Sequence, residues 1–316
     1  MTKVRVLITG AAGMLGTDLV PTLRRLGYAP LATDIVKAEG VRILDVRDYS
    51  AVKRTISRFK PSWVIHLAAE TNVEKCESNP NHAYLTNVIG TENVAIVCRD
   101  HTISLVYTGT SGVFDGRKVD PQGYPEPYIE FDDPNPINVY GMSKYQAEKT
   151  VTQTTCKHLI VRAGWMMGGF KKDKKFVGKI VAQLRSKAKK IYAVTDKIGS
   201  PTHTVDFAKT IVFMMNSNLC GLYHAACTGM GTRYDVANEI LKILGRNNVK
   251  LIPVSSDFFK DDYPAPRAVS QGIRNYKLEL RGVNLMPPWQ IALKNYLTRW
   301  NLELCSEQRT LAGRRD

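Results

Sequence analysis

Tyr140 and Lys144 stand four residues apart in a segment that reads as a helix, so their side chains share one face. A phenol beside an ammonium can exchange a proton with a carbonyl or hydroxyl oxygen. The ammonium also stabilises a phenolate, which predicts a pKa for Tyr140 below its ordinary value of about 10. Thr110 lies just past a predicted strand, and its hydroxyl can orient the reacting oxygen. The three residues predict acid–base chemistry at a carbonyl or carbinol.

A glycine-rich segment follows the apolar N-terminal strand at residues 4–9. Gly10, Gly13 and Gly16 allow a sharp turn into a helix and a close approach of backbone N–H groups to a pyrophosphate. Met14 and Leu15 in the same segment are further candidate cofactor contacts. The spacing differs from the usual G-x-G-x-x-G, but its place after a first strand predicts a dinucleotide site.

Further cofactor positions follow the next predicted strands. Asp34 ends the second strand, where a carboxylate can bind an adenosine ribose and repel a 2′-phosphate, so it favours NAD over NADP. Lys37 is the nearby cation that could reverse this preference. The remaining candidates are Asp45 and Val46 after the third strand, which could flank an adenine ring, and Leu67, Ala68 and Ala69 after the fourth.

The elements that position these residues alternate between strands and helices, which predicts an α/β fold of the Rossmann type, with a doubly wound parallel sheet and a smaller C-terminal substrate-binding lobe. We assign residues 1–165 to the dinucleotide-binding domain, with 204–219 returning to it. Residues 166–203 and 220–304 form the smaller lobe, and 305–316 form a polar tail. Residues 82–100 and 138–155 read as helices, and 115–138 as a long loop over the site.

Composition excludes several classes of protein. No stretch of the 316 residues approaches the roughly 20 apolar residues of a membrane helix, and the N-terminus runs directly into a strand, so we expect a cytoplasmic protein without a membrane partner. The six cysteines and six histidines show no metal-ligand spacing, so we expect no metal. The net charge of +15 is spread along the chain without a nucleic-acid motif; it is typical of a solvated basic face and also suits a diphosphate substrate.

The ordered motifs resemble those of the extended short-chain dehydrogenases/reductases. Within that group the chain is similar to the dTDP-4-dehydrorhamnose reductase family from residue 4 to about residue 300. The segments that carry the resemblance are 10–16, 66–71, 113–116, 138–144, 162–165, 199–202, 221–224 and 264–267.

The resemblance implies roles for particular residues. Tyr140 would be the general acid, Lys144 its partner and a nicotinamide-ribose contact, and Thr110 the hydroxyl that orients the carbonyl. The cofactor, NAD or NADP, would lie along the glycine segment and the strand ends named above. The substrate side would include Thr71, Ser111, Trp165 and Arg267. The implied activity is reduction of the C4 ketone of a nucleotide-diphosphate-linked 6-deoxyhexose, in a homodimer formed by helices 82–100 and 138–155.

Departures from the family's sequence pattern, after Thr110 and after Arg267, keep alternatives open. The reductases usually carry an acid and a tyrosine after the threonine, where this chain has Ser111 and Gly112. The same two residues lack the acid–base pair of related dehydratases, which argues against removal of water. The first alternative is 4-epimerisation of a nucleotide sugar on the same fold. The second is a dinucleotide-binding regulatory subunit that resembles that of methionine adenosyltransferase.

Overall fold

The computed structural model describes residues 3–155, 157–298 and 300. Its centre is a parallel sheet of seven strands in the order β11-β6-β5-β4-β1-β2-β3. The described strands are β1 (Arg5–Thr9), β2 (Ala29–Asp34), β3 (Arg42–Ile43), β4 (Trp63–His66), β5 (Ser104–Thr110), β6 (His158–Ala163), β7 (Trp165–Met167), β8 (Lys190–Val194), β9 (Ile198–Gly199), β10 (Pro201–His203), β11 (Gly221–His224), β12 (Gly231–Thr232), β13 (Lys250–Val254) and β14 (Ser270–Gln271).

Helices cover both faces of this sheet, because its apolar strands must be buried on each side. Separate buried clusters, one with α1 and α8 and the other with α2 and α5, lie against them. The helices are α1 (Met14–Arg25), α2 (Tyr49–Phe59), α3 (Val73–Ser78), α4 (Pro80–Tyr84), α5 (Gly90–Asp100), α6 (Val139–Thr154), α7 (Phe176–Arg185), α8 (Thr204–Asn216), α9 (Arg233–Ile243) and α10 (Tyr276–Leu280), with further helical residues at 289–298 and 300. None of the described helices is long and apolar enough to cross a membrane.

The predicted Rossmann-type fold is therefore confirmed, with two local corrections. The range 220–304 was predicted to lie in the smaller lobe, but β11 pairs with β6 at the edge of the main sheet. The predicted helix at 82–100 is continuous but not regular, because Leu85–Ile89 form a π turn between α4 and α5. The remaining domain boundaries stay predictions, and the tail at 305–316 lies outside the described residues.

The smaller lobe carries short sheets beyond the carboxyl ends of the main strands. The most relevant has the strand order β12-β9-β14. Its β12 and β9 run antiparallel, while β14 and β9 run parallel. This sheet brings together the starts of α9 and β14 although they are far apart in the chain, so it forms one wall beside the strand ends.

A tight strap at Gly168 and Gly169 joins this lobe to the first turn of α1. Both glycines have positive φ, at 143° and 65°, which glycine adopts readily. A Cβ on Gly169 would lie 2.6 Å from the carbonyl oxygen of Met14, so the two backbones touch. The Gly169 N–H and the Thr204 hydroxyl both donate to the buried Asp18 carboxylate, at 2.7 and 2.5 Å. The strap therefore holds the start of α1 against the smaller lobe.

Candidate active site

The predicted catalytic residues meet at the carboxyl end of the main sheet. Thr110 ends β5, and its side-chain oxygen accepts a hydrogen bond from the Gly112 N–H at 3.1 Å. Tyr140 and Lys144 lie on α6, whose first turn is capped by the Asn138 side chain accepting from the Gly141 N–H at 2.8 Å. The cap fixes the start of α6, so Tyr140 is the second residue of this helix.

Gly112 marks the point where the site's polar groups converge. A Cβ at this position would lie 3.3 Å from Thr110 Oγ1, 3.5 Å from Tyr140 Cε1 and 3.6 Å from Gln271 Nε2. The glycine leaves room beside a hydroxyl, a phenol and an amide, which can all contact one small polar group.

The charge states differ from the sequence-based expectation. Burial raises the pKa of Tyr140 to about 12, against a lowering effect of the nearby Thr110 side chain. The predicted lowering by Lys144 is wrong for this structure, since the Lys144 Nζ lies 4.1 Å from the centre of the Tyr107 ring. Desolvation lowers the pKa of Lys144 to about 7. Tyr140 therefore holds its proton at neutral pH, as a proton donor must.

Beneath the site, His66 at the end of β4 links neighbouring elements. Its Nδ1 lies 2.6 Å from Thr9 Oγ1 and its Nε2 lies 3.0 Å from Thr91 Oγ1. The Thr91 hydroxyl donates to the Asn87 carbonyl at 2.6 Å, so it accepts from His66 Nε2, and Thr9 donates to Nδ1. Burial lowers the pKa of His66 to about 3. The imidazole is therefore a neutral, fixed connector.

Asn87, in the π turn, carries these bonds on to the catalytic helix. Its side chain accepts from the Glu70 N–H at 2.7 Å and donates to the Glu70 carbonyl at 3.1 Å. It also donates to Ser143 Oγ at 2.9 Å, and Ser143 donates to the Tyr140 carbonyl at 2.9 Å. This network of hydrogen bonds connects the strand ends to α6. We call its members the floor network: Thr9, His66, Thr91, Asn87 and Ser143.

The glycine segment fits a dinucleotide pyrophosphate. A Cβ on Gly10 would lie 2.6 Å from the Ala68 backbone nitrogen, and one on Gly16 would lie 2.4 Å from the Ala11 carbonyl oxygen. These glycines are required by close backbone packing. Gly13 is exposed and caps α1 with no side-chain hydrogen bond and no acid in the first turn. The first N–H groups of α1 are thus available for a bound anion.

The other predicted cofactor residues occupy varied surroundings. Both Asp34 oxygens accept backbone N–H groups, from Ala12 at 2.9 Å and Val36 at 3.0 Å, so Asp34 braces the glycine segment. Asp45 forms an ion pair with Arg47 at 2.6 Å, which lowers its pKa. The side chains of Leu15 and Val46 pack in the core, so these two residues could contact a cofactor only through their backbone atoms. Four others are half-buried at the site edge, namely Met14, Leu67, Ala68 and Ala69.

The predicted substrate residues lie on the side of the smaller lobe. The Trp165 Nε1–H donates to the Gln271 side chain at 2.8 Å. Arg267 donates to the Glu74 carboxylate on α3 at 2.6 Å. Thr71 is exposed, and its carbonyl accepts from the Lys175 Nζ at 3.2 Å. The fourth predicted residue, Ser111, is buried in the turn after β5.

Comparison with known proteins agrees with this geometry. The model of the family described as RmlD substrate binding domain matches residues 4–302. The chain belongs to this family. It is 35% identical over 254 residues to the dTDP-4-keto-6-deoxy-D-glucose reductase of Streptomyces niveus, covering 80% of this chain and 83% of that protein. It is 31% identical over 295 residues to the dTDP-4-dehydrorhamnose reductase of Mycobacterium tuberculosis strain H37Rv, covering 93% and 92%.

Solved structures of the RmlD family superpose closely. The dTDP-4-dehydrorhamnose reductase of Bacillus anthracis, solved in complex with NADP, gives a TM-score of 0.85 at 33% identity and covers 94% of this chain and 100% of that one. The predicted membership in the extended short-chain dehydrogenases/reductases is therefore confirmed. The chain is an NAD(P)-dependent oxidoreductase of this family. Within its described residues, no group of three or more His, Cys, Asp or Glu side chains forms a metal cluster.

Two site-facing residues of this family member were not predicted. Gln271 on β14 contacts Trp165 and reaches the space beside Gly112. Arg233 opens α9, and its guanidinium lies 3.6 Å from the centre of the Trp165 ring. Neither belongs to a local motif, because both arrive through the pairing of β12 and β14 with β9.

Proposed function

We propose that this protein reduces the C4 ketone of a dTDP-linked 4-keto-6-deoxyhexose with a reduced nicotinamide cofactor. The observation that carries the proposal is the convergence of Thr110, protonated Tyr140 and Gln271 around Gly112, beside the glycine cradle of α1. The relatives named above are reductases of this kind of substrate.

Each of these residues has a separate role in the proposed reaction. When bound, the cofactor supplies the hydride that the ketone carbon receives. Tyr140 donates its proton to the ketone oxygen, and Thr110 holds that oxygen by a hydrogen bond. Lys144, whose Nζ lies 4.1 Å from the centre of the Tyr107 ring, would bind the nicotinamide ribose. Gly112 places no acid beside the sugar, so removal of water is not part of the proposal.

For the cofactor, we propose that NAD(H) binds at least as well as NADP(H). Asp34 stands at the end of β2, fixed by two backbone N–H groups, where its negative charge opposes a 2′-phosphate. Titration of both cofactors tests this. A tenfold preference for NADP(H), which equals about 1.4 kcal/mol, would contradict it.

For the assembly, we propose a homodimer formed by α4, the π turn, α5 and α6. Apolar side chains are exposed along this face, namely Tyr84, Leu85, Ile89 and Met142. Light scattering should give twice the chain mass, and Ile89→Glu should give a monomer. A wild-type monomer would contradict the proposal.

The deciding experiment is a screen of nucleotide-linked 4-keto-6-deoxysugars with NADH and NADPH. Loss of nicotinamide absorbance with formation of the C4 alcohol supports the function. Interconversion of C4 epimers without net use of the cofactor would favour an epimerase. Cofactor binding without turnover of any ketosugar would favour a regulatory subunit.

A further inference from the structure

The Arg233 side chain is held between two aromatic rings beside the site. Its guanidinium carbon lies 3.6 Å from the centre of the Trp165 ring and 5.1 Å from that of Phe176. Stacking of this kind fixes the planar group and leaves its N–H donors along the edge. Within the described part of the chain, the guanidinium has no hydrogen-bond or ion-pair partner.

Other cations lie close to Arg233. Desolvation, followed by the charge of Arg267, lowers the pKa of Arg233 to about 9, against an opposing effect of the Asp173 charge. Desolvation also lowers the pKa of Lys175; the charges of Asp173 and Glu70 oppose this effect, and those of Lys179 and Arg233 add to it. The arrangement therefore concentrates positive charge on the wall formed by the starts of α7 and α9.

Each nearby carboxylate has a hydrogen-bond partner other than Arg233. Glu74 accepts from Arg267 at 2.6 Å. Asp173 accepts the Lys175 backbone N–H at 2.9 Å and the Tyr296 hydroxyl at 3.0 Å. Arg267, the substrate cation suggested by the resemblance, thus already forms an ion pair with Glu74. The guanidinium of Arg233 forms no such pair among the described residues and can bind a ligand.

Trp165 connects this cation to the catalytic residues. Arg233 lies on the face of its indole, and Gln271 accepts from its Nε1. Gln271 Nε2 in turn reaches the space beside Gly112 where Tyr140 points. One indole and one carboxamide therefore lie between the cation and the proton donor, so a sugar at Tyr140 would direct its anionic substituent toward Arg233.

We propose that Arg233, with Lys175 beside it, binds the diphosphate of the nucleotide-sugar substrate. The identity of the sugar in this proposal rests on the proposed function, but the binding of an anionic group by Arg233 does not. Lys175 already donates to the Thr71 carbonyl at 3.2 Å, which holds its ammonium near the end of β4. Two cations from different elements match two linked phosphate groups.

The test is calorimetric titration of the full chain with thymidine diphosphate and thymidine monophosphate. Arg233→Met keeps the aliphatic stem and removes the charge. We expect it to weaken diphosphate binding at least tenfold and monophosphate binding less than threefold, with cofactor binding unchanged. Arg233→Lys should recover part of the loss. Arg246→Met, an exposed position after the far end of α9, is the matched control and should change neither ligand more than twofold.

Three results would overturn the proposal. They are absence of diphosphate binding by the wild type, binding by Arg233→Met within twofold of the wild type, and equal losses for both nucleotides, which would mean that Arg233 only holds Trp165 in place.

The two proposals fail separately. Arg233-dependent diphosphate binding without reduction of any ketosugar removes the function and keeps this site. Ketosugar reduction with an unchanged KM in Arg233→Met removes this site and keeps the function.

Discussion

The two sides of the site satisfy their polar groups differently. On the cofactor side, the floor network forms a continuous set of hydrogen bonds from β1 to α6, and its imidazole is neutral. On the substrate side, the guanidinium of Arg233 stacks on Trp165 and, among the described residues, forms no hydrogen bond or ion pair, so only the charge of Asp173 opposes its own. The floor network is complete within the protein, whereas Arg233 carries a charge that a ligand can neutralise.

This difference separates two kinds of contribution to activity. A complete network holds the proton donor in position, so its loss should appear in turnover and in stability. An unpartnered cation costs stability until an anion binds, so its loss should appear in substrate affinity. The following variants test whether the two sides separate in this way.

The largest expected effect is on the proton donor. Tyr140→Phe removes only the hydroxyl, so turnover of a confirmed ketosugar should fall about 100-fold or more, with cofactor affinity retained. Single-turnover kinetics and cofactor titration measure the two quantities. Tyr145→Phe on the same helix, whose ring contacts Lys149, is the control and should keep wild-type turnover. Wild-type turnover in Tyr140→Phe would mean that another group supplies the proton.

Asn87→Ala breaks the floor network where it reaches α6. The Glu70 N–H and carbonyl and the Ser143 hydroxyl would lose their partner, so we expect the free energy of unfolding to fall by about 2–3 kcal/mol. Urea denaturation measures it. Asn135→Ala, at an exposed side chain that donates to Asp115, should cost less than about 0.5 kcal/mol. Equal costs for both variants would show that the network contributes little.

His66 should make stability depend on pH. Its folded pKa of about 3 lies below the ordinary 6.5, so the unfolded chain binds a proton first as pH falls. The contribution of neutral His66 is fully present above pH 6.5 and is lost as the pH falls toward 3, at up to about 1.4 kcal/mol per pH unit. His66→Gln should flatten this part of the profile relative to wild type, whereas His101→Gln, at the surface, should not. An unchanged slope in His66→Gln would contradict the assignment.

The smallest expected effect is on the substrate side at Gln271. Gln271→Leu removes the acceptor for Trp165 Nε1 and the amide beside Gly112, so KM for the ketosugar should rise about fivefold with kcat within about twofold. Steady-state kinetics measure both. Gln183→Leu, exposed on α7, is the control. A fall in kcat without a change in KM would place Gln271 with the proton donor and break the separation between the two sides.

The parts of the molecule that could be predicted from the sequence depend on local patterns. The alternation of strands and helices predicted the sheet, and the i, i+4 spacing placed Tyr140 and Lys144 on one helix. Gly10 and Gly16 stand where only a missing Cβ allows the backbones to approach. In each case, the residues that decide the structure are close together in the chain.

The parts that could not be predicted depend on distant contacts. Arg233 and Gln271 meet Trp165 only because β12 and β14 pair with β9, and no local pattern records that pairing. The pKa of Tyr140 was predicted with the wrong sign because helical spacing does not reveal burial or the position of Lys144 Nζ over Tyr107. The π turn at Leu85–Ile89 likewise lies inside a pattern that reads as one helix.

The strap at Gly168 and Gly169 limits how this protein can be recombined with its relatives. Because Gly169 touches the Met14 backbone and shares Asp18 with Thr204, the proposed pyrophosphate-binding turn and the smaller lobe meet through a backbone contact. A chimera that exchanges only the smaller lobe to change sugar preference would join surfaces that were not selected together. The practical unit of exchange is therefore the smaller lobe together with the strap and the first turn of α1, so an engineer cannot treat the two binding sites as independent modules.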